Sequence, residues 1–464
     1  MASQSPGRFR RYRWKELSLF IIPSLILLIG MTQVLLATRD KTSSLTGHNL
    51  PTIQGLIPVL GLIILFVLVN MLFSFFFPKV DQVLLPLVGL MSGLGVIMAL
   101  RIGPNLPFPD PTLGTKQLVW VMVGIIVCIA TLFGLRKMNW LERYKYTWAI
   151  LGILLVGITL GNTLRVKDLN SPTHDQLKLG FFQLQPSELL KICIVIFFAA
   201  YLSENRDILA GRGPRFGSFR LPPLRQLGPI FTMLGISLLL FLVVRELGLA
   251  LLIYGLFMCM IYLGSNKFSY VIVGMLVFAA LAFVGYTLFG YVRARFAVVP
   301  FDVVNWQQWT ATQVEFAQNT GLQIVQGLIA LSSGGIIGAG LGLGHPTFVP
   351  VAQSDMVFTA FGEELGLAGL FGIIGIYLLI VYRGYRIAIE ASSPFTQMLA
   401  AGLTSIFAIQ SIIIIAGNMK FFPLTGIPLP FLSYGGSSVI ANYIIIGILL
   451  RISHNTAMER EGLT

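Results

Sequence analysis

Apolar residues run along this chain in long blocks separated by short polar or basic stretches, and block length sets the first expectation. A bilayer core of about 30 Å is crossed by roughly 20 helical residues. On that measure the pattern predicts spans near residues 16–38, 54–77, 82–101, 117–135, 146–163 and 186–203, then 227–244, 247–264, 269–290, 355–382, 396–417 and 434–452. Most contain glycine, which bilayer helices tolerate. The predicted fold class is an all-α polytopic membrane protein of about 12 transmembrane helices.

Composition agrees with the pattern. Of 464 residues, 55% are hydrophobic and 11% charged, against about 25% charged in soluble domains. A soluble enzyme is excluded. Cys128, Cys193 and Cys259 fall inside apolar runs, and His48, His174, His345 and His454 lie far apart, so neither a disulfide framework nor a zinc site is indicated. The net charge of +13 would suit nucleic acid as a partner, but membrane proteins concentrate Lys and Arg in cytoplasmic loops.

Placement decides for the membrane and against nucleic acid. Arg8, Arg10, Arg11, Arg13 and Lys15 precede the first apolar run, which is a full span without a small-residue cleavage pattern and does not look like a cleaved signal peptide. With the N-terminus cytoplasmic and an even number of spans, the C-terminus is cytoplasmic too. The loops on that side then hold Arg136, Lys137, Arg143 and Lys145; Arg206, Arg212, Arg215, Arg220 and Arg225; and Arg383 and Arg386. The positive-inside rule supports this orientation.

The opposite face receives segments 164–185, 291–354 and 418–433, where extracytoplasmic chemistry must lie. A connection as long as 291–354 is usually functional or disordered, and its composition favours order. Within it, residues 321–335 place apolar side chains at helical spacing, with Gln323 and Gln326 three apart. The segment is either a short interfacial or re-entrant helix at a site, or an amphipathic helix lying on the membrane without catalytic duty.

Charges at the edge of a span need a partner, a wet cavity or a function. In FQLQPSELLK, Pro186 suits a first helical turn, Glu188 sits in that turn and Lys191 follows three residues later on the same face. The pair either acts on substrate or is a structural neutralisation at a helix start. Arg245 and Glu246 interrupt two apolar runs, as a polar cavity lining or as a hinge. Asp355 stands where the outer segment VPVAQSD meets the apolar run MVFTAFGEELG. It is a general base for a substrate hydroxyl or a helix cap. Glu363 and Glu364 lie about 12 to 14 Å further along that helix, marking a helix contact or a proton route. The segment 421–438, FFPLTGIPLPFLSYGGSS, cannot be one regular helix, because it holds Pro423, Pro428 and Pro430. Broken backbone at membrane depth lines protein or a water-filled cavity; Ser433, Tyr434 and Ser437 offer hydrogen bonds there if it is a cavity wall rather than a plain loop.

Taken in order, these motifs resemble the SEDS family of bacterial cell-wall proteins, the FtsW/RodA/SpoVE group. The marks are Gln185-Pro186-Ser187-Glu188 with Lys191, SSGGIIGAGLGLG at 332–344, SDMVFTAFGEELG at 354–366 and PLTGIPLPFLSYGGSS at 423–438. The resemblance covers residues 82–455, a ten-helix SEDS-like core with the long loop 291–354. Residues 1–81 are left as a basic N-terminus plus two additional helices, either a docking surface or an anchor, and 456–464 as a short cytoplasmic tail.

By resemblance the protein is a peptidoglycan glycosyltransferase of the bacterial cytoplasmic membrane, polymerising lipid II at its outer face beside a class B penicillin-binding protein and other division or elongation proteins. The family's HTDFIF-like motif aligns with QSDMVF and implies Asp355 as the catalytic base. Gln185, Glu188, Lys191, Glu246, Gln326, Ser433, Tyr434 and Ser437 are the implied substrate-binding set. A divalent cation, Mg2+ or Mn2+, could offset the pyrophosphate charge, although no metal motif is visible. The chain departs from the family pattern where QPDLG reads Val244-Arg245-Glu246-Leu247-Gly248, where Ser354 replaces a His, and in RVKDLNSPTHDQLKLG before QPSE.

Two other functions compete. A lipid II flippase or transporter would suit the many spans and the acids within them, though no internal repeat supports alternating access. A non-catalytic scaffold of the cell-wall synthesis complex would suit the departures at 164–178 and 244–246.

Overall fold

The computed structural model describes residues 13–37, 53–136, 138–165, 177–179, 182–206, 215–216, 219–220, 228, 231–235 and 246–462. Arg245 and most of the expected span 227–244 lie outside them, as do Arg8, Arg10, Arg11 and residues 166–176. The chain opens with α1 (Trp14–Ala37), α2 (Ile53–Phe76), α3 (Leu84–Ile102), α4 (Leu113–Gly134), the short α5 (Asn139–Arg143) and α6 (Lys145–Arg165). A two-stranded hairpin, β1 (Leu177–Leu179) with β2 (Phe182–Leu184), leads into α7 (Pro186–Glu204), and a second, β3 (Arg215–Phe216) with β4 (Phe219–Arg220), follows. Then come α8 (Leu247–Ser265), α9 (Phe268–Leu288), the short α10 (Gly290–Ala297), α11 (Ala311–Gln318) and α12 (Leu322–Gly334), and finally α13 (Val357–Glu390), α14 (Pro394–Asn418) and α15 (Gly436–Arg460).

Among the described residues, ten helices are long and apolar enough to cross a membrane. The chain is a multi-pass helical membrane protein, with two small hairpins as its strands. Burial sorts the spans: α7 hides 89% of its most apolar window within the protein and α9 only 11%. Helices α3, α7, α14 and α15 therefore form the centre, while α9 faces lipid. Lipid tails are as apolar as leucine, so packing between spans relies on small residues and shape. Gly124 of α4 lies under the Tyr443 ring, and Gly447 of α15 under the Cys128 carbonyl.

Helix α13 departs from the expected span at 355–382. Its 34 residues would measure about 51 Å if straight, well beyond a core of about 30 Å. It is broken at Gly366 (φ 65°, ψ −171°), which separates a buried section, 357–365, from a section with lipid-facing Phe371, Leu378 and Leu379. Its far end runs on to Glu390 because Arg383 pairs with Asp81 and Arg386 with Glu390. Helix α15 likewise runs past the expected 452, its end tied by Arg460 to Glu390 and by Glu461 to Lys79.

Those contacts gather the start of α1, the end of α2 and the ends of α13 and α15 at one end of the bundle. Arg13 and Glu16 pair there at 3.1 Å, both almost fully buried. Arg13 also donates to the Asp81 carbonyl at 2.8 Å, and Asn70 donates to Glu16 at 2.6 Å. Removing one partner of a buried pair strands the other charge, at a cost of about 3–5 kcal/mol. Arg13→Met should lower stability by about that amount in a detergent unfolding experiment. Arg13→Met/Glu16→Leu should regain most of it; a double variant no more stable than the single would contradict this account.

Candidate functional site

The opposite end of the bundle carries the broken backbone and Asp355. Segment 335–344 leaves α12 and lays its backbone against the break in α13. Ala339 and Gly340 N–H donate to the Glu363 and Glu364 carbonyls at 3.0 and 2.9 Å, and Leu367 and Ala368 N–H return bonds to the Gly335 and Ile336 carbonyls at 2.9 and 3.0 Å. Glycine is required at this contact: a Cβ on Gly338 would meet the Glu364 carbonyl oxygen at 2.3 Å, and one on Gly366 the Gly338 nitrogen at 2.3 Å. Glu363 and Glu364 serve this packing. Glu363 accepts the His345 N–H at 2.7 Å, and Glu364 lies 3.4 Å from Arg101.

Successive turns over 349–356 then deliver Asp355, with Ser354 and Met356 N–H both turned to the Val351 carbonyl. The N-cap position of α13 is Met356, so Asp355 is not the cap that the sequence left open. Asp355 is half-buried. Its backbone carbonyl accepts from Asn418 Nδ2 at 2.9 Å, and its Oδ1 accepts from the Ser354 hydroxyl at 3.0 Å. Ser433 Oγ donates to the Ser354 carbonyl at 2.6 Å, and Tyr434 N–H to the Gln353 carbonyl at 2.8 Å. Val351, Lys420 and Phe431 around this point have φ of 57°, 65° and 66°, a strained conformation for residues with a Cβ and one that clusters at functional sites.

Asp355 opens onto a cavity of about 220 Å³, lined also by Arg295, Gln323, Ile324, Leu424 and Gly426. Arg295 Nη1 donates to the Leu424 carbonyl at 2.8 Å. Burial pushes its guanidinium below the ordinary range, and the charges of Asp355 and then Glu246 pull it back. Glu246 is brought near because α8 starts against the same segment: a Cβ on Gly248 would meet the Thr425 carbonyl oxygen at 2.7 Å. A larger cavity of about 730 Å³ between α4, α6, α7 and α15 is lined by apolar side chains and holds no carboxylate.

The other predicted residues separate by role. Lys191 donates to Glu188 at 2.7 Å and to Gln410 at 3.1 Å, and Gln410 donates to the Pro428 carbonyl at 2.7 Å. Lys191 is 1% and Glu188 5% exposed, so the pair lies inside the protein and reaches segment 423–438 through Gln410. Ser433 is buried, with Leu429 N–H donated to its oxygen at 2.8 Å, and Ser437 Oγ accepts the Gln185 N–H at 2.8 Å; both hydroxyls tie backbone. On α12, Gln323 lines the cavity and Gln326 does not. Arg295, Asn418 and Gln410 were not expected here, and Gln323 only as the helical neighbour of Gln326. Arg293 and Arg295 did carry a signal, since basic residues on the face opposite the basic loops run against the positive-inside rule.

The cell cycle protein family model FTSW_RODA_SPOVE matches residues 81–458. The chain belongs to this family. A FtsW/RodA/SpoVE relative, the peptidoglycan glycosyltransferase RodA of Mycobacterium tuberculosis, is 37% identical over 386 residues, 82% of this chain and 79% of its own. A probable peptidoglycan glycosyltransferase FtsW of Geobacter metallireducens is 33% identical over 274 residues, 59% of this chain and 67% of its own. The fold is also that of RodA from Thermus thermophilus (TM-score 0.53, 21% identity, 81% of this chain and 97% of that one). It matches as well a chain of a peptidoglycan synthase complex that coordinates polymerization and crosslinking (TM-score 0.60, 23% identity, 81% and 98%). Helices α1 and α2 lie ahead of the family region.

Within this family member, Gly426 (φ 73°) carries the turn facing Asp355, and a Cβ there would sit 3.6 Å from Asp355 Oδ2. That distance is an ordinary contact, so the cost of Gly426→Ala comes from the left-handed backbone, about 1–2 kcal/mol. Gly426→Ala should lose that much stability in denaturant titration, whereas Gly285→Ala on the lipid-facing α9, with nothing within 4 Å, should lose nothing measurable.

Proposed function

We propose that this chain is an inverting peptidoglycan glycosyltransferase that polymerises lipid II into β-1,4-linked glycan. The observation that carries the reading is a half-buried carboxylate, Asp355, sharing a cavity with a guanidinium, Arg295, at the end of the bundle away from the charged helix ends. With those ends cytoplasmic, as their basic residues favour, the cavity opens on the outer face of the cytoplasmic membrane, where lipid-linked precursors are polymerised.

Asp355 accepts the proton from the 4-hydroxyl of the acceptor GlcNAc as that oxygen bonds to the anomeric carbon of the lipid-linked donor. The bond from that carbon to the pyrophosphate oxygen breaks, its electrons leave with undecaprenyl pyrophosphate, and configuration inverts. The Ser354 hydroxyl at 3.0 Å and the Asn418 bond to the Asp355 carbonyl fix the base in place. Arg295 answers the negative charge gathering on the leaving group, which is where a preorganised cation lowers a barrier. At about 220 Å³ the cavity is below the roughly 300–1,000 Å³ of whole-ligand pockets, so it takes the reacting part while the lipid stays in the bilayer.

The described residues include no group of three or more His, Cys, Asp or Glu placed to hold a metal. A Mg2+ or Mn2+ ion needs fewer, because one or two carboxylates and substrate phosphates commonly suffice. Asp355, which lines the cavity, and Glu246, close enough for its charge to reach Arg295, are the carboxylates that would hold it, and the ion would supply further charge for the pyrophosphate. The structural kinship with a synthase complex supports a crosslinking partner of the class B penicillin-binding type.

Purified protein given lipid II should form glycan polymer on a gel, and Asp355→Asn should slow this at least about 100-fold, the usual contribution of a general base. Undiminished polymerisation by a folded Asp355→Asn protein removes the base assignment. Arg295→Met should also lower kcat, by roughly tenfold or more for one lost electrostatic contact in a dry site, while Arg295→Lys retains part of it.

A further inference from the structure

The N-terminal helices lie outside the family region, yet one of them reaches the glycine segment that is bonded to α13, the helix Asp355 immediately precedes. Leu341 of segment 335–344, 7% exposed, packs on Gly30 of α1, where a Cβ would meet Leu341 Cδ1 at 3.1 Å. Next to it, a Cβ on Gly342 (φ 89°) would lie 2.6 Å from Ala37 Cβ and 3.1 Å from Val34 Cα. The opposite side of the same segment is bonded to the break in α13 through Ala339 and Gly340. Its end is pinned by Arg101, whose Nη2 donates to the Gly344 carbonyl at 2.9 Å. Residues 338–344 thus form a plate one backbone thick between α1 and the buried section 357–365, which begins two residues after Asp355.

We propose that the far end of α1 is a positioning element for Asp355, with Leu341 seated in the notch at Gly30 setting how deeply the glycine segment sits in the α13 break. Interiors are close-packed and transmit displacement. Filling the notch lifts the plate, and the plate is bonded to the carbonyls of Glu363 and Glu364. The additional helices are then part of the site's architecture, beyond anchoring. The proposal rests on the glycosyltransferase reading for its activity arm alone.

The test uses the full chain in lipid nanodiscs, with Gly30→Leu, Leu341→Ala and the double variant. Gly61→Leu on α2, where nothing lies within 4 Å, is the control. Gly30→Leu should speed hydrogen exchange at the Ala339, Gly340, Leu367 and Ala368 amides by about tenfold and lower polymerisation kcat by about tenfold at unchanged KM, since overpacking displaces neighbours and small misplacement of a base is costly. Leu341→Ala alone, which adds no bulk, should move both readouts about threefold the same way through the cavity it leaves. The double variant should return toward the parent, because the alanine makes room for the leucine. Unchanged exchange in both single variants, or a double variant no better than Gly30→Leu, overturns the proposal. A parent that makes no polymer defeats the enzymatic reading, while the exchange data still decide this one.

Discussion

Irregular backbone within a bilayer-spanning protein must find its hydrogen bonds inside the protein, since hydrocarbon offers none. Much of the site end of this molecule follows from that constraint. The glycine-rich segment 335–344 is neither helix nor sheet, and it is tolerable because the interruption of α13 at Gly366 presents the carbonyls and N–H groups it lacks. The two irregularities satisfy one another, and Gly338 and Gly366 lack side chains where their backbones meet most closely. Asp355 lies on the connection between these partners, where the turns over 349–356 and the bonds from Asn418, Ser433 and Tyr434 hold the chain, rather than on the cap of a regular helix.

Two acid–base pairs show how environment divides similar residues between tasks. Glu188 and Lys191 face each other in a dry interior, with Gln410 completing the lysine's bonds. The network links α7 to the segment around Pro428. Asp355 and Arg295 share a cavity instead, and the arginine is fixed by a carbonyl rather than by a carboxylate contact. A charge held at a distance by backbone keeps its field available, whereas a closed contact pair spends that field internally.

Ten of the twelve expected spans are found among the described residues, because a helix hydrophobic all round needs only length to be recognised; the expected 146–163 falls on a shorter apolar helix, and most of 227–244 lies outside the described residues. Asp355 stood out as a lone carboxylate at the junction of an outer segment and an apolar run, open to a base or a cap reading, and the fold places it on a cavity wall. The α13 break was hidden: MVFTAFGEELGLAGLFG runs on as one apolar stretch, and what opens it at Gly366 is contact with chain more than twenty residues earlier. Gln326 was chosen over Gln323 because spacing gives a shared helical surface without saying which residue meets a cavity. Ser433 and Ser437 looked like free hydroxyls, and irregular backbone claimed them first. Arg295 carries no motif, and only its side of the membrane sets it apart. The family resemblance located the motifs, while the geometry distinguished those that line the cavity from those that brace it.

The joint between Gly338 and Gly366 is made from one uninterrupted stretch of chain that includes both flanking helices, α12 and α13. Loop closure over so short a separation costs little entropy, so this unit can assemble early, as soon as its own residues have entered the membrane. Helices synthesised before it, α1 among them, then close against its outer side. The Asp355 cavity closes only when Asn418, Leu424 and Gly426 follow, and an insertion or deletion between the two glycines would misalign their meeting even if every span survived.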